Sequence, residues 1–385
     1  MKREIPFHRP YITDEEVNYV VDSLKNGWLT MGKKTIEFEN KFKDYIGSKN
    51  AIAVNSCTAA LHLALKVIGL KKGDEVIVPT TTFVATAEVV NYFNAKPILV
   101  DIEPDTHLID ISKIEEKITS KTKAIIPVHF SGQPADMNEI LDIAKKHNLY
   151  VIEDAAHALP AWYKGKKIGT IGDITAFSFY ATKTLATGEG GMATTENDEW
   201  ADRIRVLRLH GINKDAWKRY SKEGTWEYDV IENGYKYNTT DINSALGLAQ
   251  LKKLEWMWKE RLKIAQRYNE AFKDYEELIL YKVKDDRISS WHLYPLKLNL
   301  ELLKINRDQF IEKLKSRGIG TGVHFIPLYR FSYYKKKLNY KSKNFPISEW
   351  IFKRVVSLPI FPGIKEEEVD YIIDNIVDII KKNRK

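Results

Sequence analysis

The chain has a single cysteine, Cys57, in 385 residues. That excludes an intramolecular disulfide and any metal centre built on several thiolates, and no metal-ligand set is expected. No apolar run is long enough to cross a bilayer as a helix. The opening MKREIPFHRP lacks the apolar core of a secretion signal. Both absences point to a cytoplasmic protein with no membrane partner. GxxxxGK[ST] and GxGxxG are missing, so neither a P-loop NTPase nor a standard dinucleotide binder is supported. There is no low-complexity stretch and no repeat at solenoid spacing. The net charge is +8, yet the basic residues are scattered over stretches such as KKLEWMWKERLK and the tail KKNRK. They do not interleave with aromatics, so no nucleic-acid partner is expected. A positive field of this kind suits a small substrate carrying phosphates.

What is present, from about residue 50, is alternation. AIAV, EVIVPT, PILVDI, KAIIPVHF, YVIEDAA, ITAFSFY and GGMATT read as strands. TAALHLALKVIG, VATAEVVNYF and ADMNEILDIAKKHN between them carry apolar residues at helical spacing. Apolar strands alternating with helices predict an α/β fold with a mainly parallel sheet covered on both faces. In such sheets ligands bind beyond the carboxyl ends of the strands. A long helical pattern runs through the 240s to about residue 272. After it come a strand at HLYPLKL, a helix at RDQFIEKLKSRG, a strand at GTGVHF and a final helix at EEEVDYIIDNIVDIIKK. The length allows two domains. Residues 1–250 are read as a large domain, and 251–385 as a linking helix with a small α+β domain on which the extreme N-terminus packs.

Four places at strand ends carry chemistry. In NSCTAAL, Ser56 and Thr58 offer hydroxyls at a helix start, which suits a phosphate, although a plain N-cap has the same look. In YVIEDAAHA, Asp154 ends an apolar strand and His157 follows one turn later. A carboxylate there suits a cationic ring nitrogen, and a capping acid with a core histidine is the simpler alternative. Phe83 in TTTFVATA is placed to stack on a flat cofactor or to fill core. Lys183 in SFYATKTLATGEGGM sits beside glycines, where a lysine can form a Schiff base with an aldehyde. Each signal alone is weak. Taken in order they form a full set of handles for pyridoxal 5′-phosphate (PLP).

With those residues in place the chain resembles the DegT-type sugar-nucleotide aminotransferases of PLP fold type I. The likeness covers nearly the whole chain, through GWLTMGKKTIEFE, NSCTAAL, GDEVIVPTTTFVATA, VIEDAAHA, SFYATKTLATGEGGM, GYKYNTTDINSALGLAQL, RGIGTGVHF and SLPIFPG. The resemblance implies a large domain with a mainly parallel seven-stranded sheet flanked by helices. It implies that Lys183 is the cofactor lysine and the proton shuttle. Thr58, Ala59 and Ser178 hold the phosphate, Phe83 stacks on the ring, Asp154 faces the pyridine nitrogen and His157 lies beside the ring. Asn238 reaches the phosphate of the other subunit of a homodimer, and His324 lies near the sugar. The implied substrates are glutamate, leaving as 2-oxoglutarate, and a nucleotide-linked 4-keto sugar, with amination at C3 as the alternative. Tyr180 and Tyr329 stand where histidines are expected and bear on which sugar is bound. A sugar dehydratase of the same superfamily has histidine at the lysine position, so Lys183 argues against it. A cysteine desulfurase needs a reactive cysteine on a mobile loop, whereas Cys57 lies in the phosphate cradle. A regulator that binds PLP without turnover stays open at this point.

Overall fold

The computed structural model describes residues 4–213 and 227–385. Two helices, α1 (Asp14–Lys25) and α2 (Lys33–Ile46), precede the sheet. Then follow β1 (Asn50–Val54), α3 (Cys57–Val67), β2 (Glu75–Pro79), α4 (Ala85–Asn91), β3 (Lys96–Val100) and β4 (Thr122–Ile125). Next are α5 (Met137–His147), β5 (Tyr150–Asp154), the two-residue strands β6 (Trp162–Tyr163) and β7 (Lys166–Lys167), β8 (Ile174–Ser178) and β9 (Gly191–Thr195). The remainder is α6 (Asp198–Leu207), α7 (Asp241–Phe272), β10 (Leu278–Ile279), β11 (Arg287–Ile288) and β12 (Tyr294–Leu298), then α8 (Arg307–Ser316), α9 (Ser332–Leu338), α10 (Pro346–Phe352), β13 (Val355–Leu358) and α11 (Glu366–Asn383).

Seven strands form one sheet in the order β1-β9-β8-β5-β4-β2-β3. β8, β5, β4, β2 and β3 run parallel, and β9 runs antiparallel to both neighbours. This is the mainly parallel sheet expected from the alternating pattern. β1, β8 and β9 are buried along their whole length. That accounts for the lack of a regular apolar–polar alternation in them, since both faces of the sheet are covered. α3, α4 and α6 pack on one side, and α2, α5 and α7 on the other, where the core continues into the C-terminal segments. A second sheet, β10-β12-β13, lies in that C-terminal part.

Helix starts follow local chemistry. Ser56 caps α3 by accepting from Ala59 N at 3.1 Å, and Thr240 caps α7 through Asn243 N at 3.2 Å. α7 is 32 residues long, and residue 250, where the large domain was expected to end, falls inside it. The strand expected at GTGVHF is not formed. That segment makes a single bridge, Gly322 with Ser357, after Ile319 pairs with Ile5 of the N-terminal segment. Gly320 packs so closely on that segment that a Cβ would lie 2.6 Å from Phe7 N. The segment thus pairs with the N-terminal chain at Ile319 and with Ser357 at Gly322, each through one isolated bridge too short to make a strand.

Candidate active site

Strand alternation decides which of two adjacent acids serves the site. Glu153 and Asp154 point to opposite faces of β5. Glu153 is consumed by structure: its carboxylate accepts from Gly172 N and Thr175 Oγ1, each at 2.7 Å, and lies 2.9 Å from His129 Nε2. Asp154 instead lines a cavity of about 530 Å³ at the carboxyl edge of the sheet. Thr86 Oγ1 donates to its Oδ2 at 2.7 Å, and Ala156 N donates to its Oδ1 at 3.1 Å. Burial holds its pKa above the ordinary aspartate value, only partly opposed by these two bonds and by the Lys183 charge. Among the described residues no cation bonds to it.

Lys183 enters the same cavity from the loop that follows β8. Its backbone N–H donates to Tyr180 O at 2.8 Å, and Phe179 N donates to Gly190 O at 2.9 Å, which folds the loop back on itself. Gly188 in this loop has φ +80°, a left-handed conformation that favours glycine. Burial lowers the Lys183 pKa to about 8; Arg261 pushes the same way, while Cys57 and Asp154 oppose. The amine therefore gives up its proton at a much lower pH than an exposed lysine does, as suits a nucleophile or base.

Ser56, Cys57, Thr58 and Ser178 also line the cavity. They stand at the start of α3 and the end of β8. Among the described residues no group takes the N–H of Cys57 or Thr58, so two first-turn amides are free for an anion. Ala59 is different. Its N–H is bonded to Ser56 Oγ, and it does not line the cavity. Phe83 lines the wall, is 60% exposed in the single chain and packs on Phe325 at 6.2 Å between ring centres.

His157 and His324 are both cavity residues. His157 Nδ1 accepts from Ser131 N at 3.3 Å, which leaves its proton on Nε2. Burial and the Lys183 charge hold its pKa well below the usual histidine value. His324 sits 2.8 Å from Ser357 Oγ through Nδ1, stacks on Phe7, and is lowered to about 4, chiefly by burial. Asn238 does not line this chain's cavity. Its Nδ2 donates to Thr239 O at 2.9 Å, while its Oδ1 is buried without a partner among the described residues.

Other residues of the site escaped the sequence reading. Phe7, His8, Phe325 and His292 all line the cavity. Thr86 lies in the quoted TTTFVATA stretch, where a hydroxyl three residues past the aromatic was the available signal. For the isolated histidines His8 and His292 there was no periodic or spacing signal.

These residues fit PLP on the structure's own terms. A buried carboxylate without a cationic partner matches a protonated ring nitrogen. A half-buried amine with lowered pKa matches an aldehyde. Free amides and hydroxyls at a helix start match a phosphate.

Comparison with known proteins gives the same chemistry. The DegT/DnrJ/EryC1/StrS aminotransferase family matches residues 10–377. The spore coat polysaccharide biosynthesis protein SpsC of Bacillus subtilis is 48% identical over 378 residues, 98% of this chain and 97% of its own. Spr1654 from Streptococcus pneumoniae has been solved in PMP (pyridoxamine phosphate) and PLP forms. The PMP form superposes with TM-score 0.92 at 36% identity, covering 98% of this chain and 100% of its own. PseC of Helicobacter pylori, an aminotransferase involved in the biosynthesis of pseudoaminic acid, superposes with TM-score 0.92 at 29% identity, covering 99% and 100%.

Proposed function

We propose a function from one premise: the chain belongs to the DegT/DnrJ/EryC1/StrS aminotransferase family, and is a PLP-dependent sugar aminotransferase of fold type I. Our reading of its reaction is transfer of an amino group from glutamate, which leaves as 2-oxoglutarate, to C4 of a nucleotide-linked 4-keto sugar. The observation that carries it is the convergence of Lys183 and Asp154 in one cavity at the carboxyl edge of the sheet. The likeness to SpsC supports a product destined for polysaccharide biosynthesis, and we read the enzyme as cytoplasmic.

When bound, PLP supplies an aldehyde that accepts an amine and a ring that holds the electron pair left by a broken C–H bond. The chain's residues do the rest. Thr58 and Ser178 hold the phosphate with the free amides of α3, and Ala59 supports that turn through its bond to Ser56. Asp154, kept in place by Thr86 and Ala156, would face the ring nitrogen and stabilise its proton. Phe83 would cover one ring face, and His157 would hold its Nε2 proton beside the ring. Lys183 would hold the cofactor's aldehyde, and as a neutral amine its Nζ would take a proton from one carbon and return it to another. His324 lies on the sugar side.

The test is direct. The purified enzyme is incubated with glutamate and a panel of UDP- and dTDP-linked 4-keto and 3-keto sugars, and NMR locates the carbon that bears nitrogen. Amination at C4 is expected, because a fixed nucleotide pocket sets which carbon arrives at the reacting atom. Efficient amination of 3-keto sugars with none at C4 would overturn the regiochemistry. A cofactor band that glutamate leaves unchanged would overturn the amino transfer.

A further inference from the structure

Lys183 Nζ has one polar side chain at hydrogen-bond distance among the described residues, His292 Nε2 at 3.5 Å. His292 comes from a segment far away in sequence, just before β12, and that segment is pinned from three sides. His292 N donates to Ser131 O at 2.9 Å, and Ser131 Oγ donates to Leu293 O at 2.6 Å. Ser290 Oγ donates to His157 O at 2.5 Å, so close to Gly132 that a Cβ there would lie 1.8 Å from the hydroxyl. Arg261 of α7 is fully buried and donates through Nη1 to His292 O at 3.2 Å and to Ile360 O at 2.7 Å. Between these anchors Trp291 is held at φ +50°, a conformation that costs a bulky residue energy and survives only where the surroundings enforce it. This much restraint delivers one imidazole ring to one amine.

We propose that His292 is a positioning residue for proton transfer. Its Nε2 accepts an N–H of Lys183 and so directs the amine's lone pair toward the reacting carbon. The inference rests on the reading of Lys183 as the cofactor lysine. A lysine in its ammonium state can only donate, which sets the tautomer of His292 with its proton on Nδ1 while Lys183 is charged. The groups that face this pair are His8, His157, His324, Arg261, Asp154, Cys57 and Glu189. Burial and the neighbouring charges of Lys183, His157, Arg261 and His8 hold His292 well below the usual histidine pKa. It thus stays neutral and remains an acceptor through the working pH range.

The test uses two replacements that separate hydrogen bonding from packing. His292→Gln places an amide where Nε2 was and fills space poorly, while His292→Phe fills the space of the ring and accepts nothing. Full-length protein freed of cofactor is mixed with PLP from pH 6 to 10, and the appearance of the bound-cofactor band gives the rate of capture by the neutral amine. Wild type should show a midpoint near the Lys183 value of about 8. In His292→Phe the ammonium loses an acceptor, so the midpoint should fall by about one pH unit. The single-turnover rate of the holoenzyme with glutamate, at a pH above both midpoints, should fall about tenfold or more. His292→Gln should restore the midpoint and recover most of the rate. A Phe variant that matches wild type in midpoint and rate, or one that outperforms Gln, overturns the proposal, because packing alone predicts that order. Borohydride reduction of the wild-type holoenzyme and peptide mapping keep the premise separate: label on a lysine other than Lys183 sinks the cofactor assignment itself, whatever the variants do.

Discussion

At the residue scale, the site places a charge where folding alone would not put one. Asp154 is 4% exposed and has no basic hydrogen-bond partner among the described residues, and burial raises its pKa. The native chain therefore takes up this proton at a higher pH than the unfolded chain does. The sign follows from linkage: stability falls as the pH rises through the raised value, so the ionised carboxylate weighs against the cofactor-free fold at neutral pH. Asp154→Asn should then separate function from stability. Turnover is expected to drop by on the order of 10²–10³-fold, as for loss of a preorganised charge in a buried site. The melting temperature of the cofactor-free variant, read by calorimetry, should be equal to wild type or higher. A lower melting temperature would mean that Asp154 is a structural acid.

At the scale of elements, one carboxylate joins two helices. α2 starts at Gly32, which has no capping side chain of its own. Asp241, the first residue of α7, supplies the cap from across the fold. Its Oδ1 accepts from Gly32 N at 2.7 Å, Thr35 N at 3.0 Å and Thr35 Oγ1 at 2.7 Å, and its Oδ2 accepts from Lys34 N at 3.1 Å. These donors sit at a helix N-terminus, where negative charge is favoured. Asp241→Ala leaves buried donors unmet and should cost about 3 kcal/mol in urea unfolding, with Asp241→Asn costing less. If Ala and wild type unfold at the same urea concentration, the cap is not what fixes α2 to α7. The same helix carries Arg261, so the element that ties α2 in place also holds the backbone of His292. Stability and site geometry are coupled through α7.

At the scale of the whole molecule, the described surface is unfinished. Phe83, Tyr180, Tyr228, Val230 and Ile231 are each exposed by 48% or more. Two of them, Phe83 and Tyr180, border the cavity. Asn238 holds a buried oxygen without a partner, in a segment bonded beside α3 through Asn55 N to Tyr237 O at 2.8 Å. We propose that a second copy covers this surface and that Asn238 serves its partner's phosphate site. An inactive Lys183→Ala chain mixed with an inactive Asn238→Ala chain should then regain activity after subunit exchange, because one hybrid site holds both native residues. The expected ceiling is about a quarter of the wild-type rate per site, and a fully active monomer in sedimentation at assay concentration would end the idea.

Much of this protein was legible before any fold was known, for a physical reason. Strand and helix periodicities are local, and ligands in parallel sheets collect at carboxyl strand ends. Thr58, Phe83, Asp154 and Lys183 were therefore identifiable as residues that follow or end apolar runs, and the mainly parallel sheet follows from the same alternation, whereas Ser178 and the count of seven strands came from the family resemblance. The C-terminal part was less legible. GTGVHF reads as a strand, but it is held only by isolated bridges, and no local pattern encodes a pairing of Ile5 with Ile319 or of Gly322 with Ser357.

The sequence by itself determined the kind of chemistry: an amine, an acid and an anion cradle at the ends of one sheet. Tertiary structure decided the working state of each group. Which of Glu153 and Asp154 is free for the cofactor depends on which face of β5 meets His129 and which meets the cavity. The lowered pKa of Lys183 arises from burial beneath walls drawn from the whole chain. His292 meets Lys183 across 109 residues and His8 meets Ala181 across 173. Contacts at such separations leave no periodic trace, because each is fixed by packing of surfaces that exist only after the chain has closed on itself.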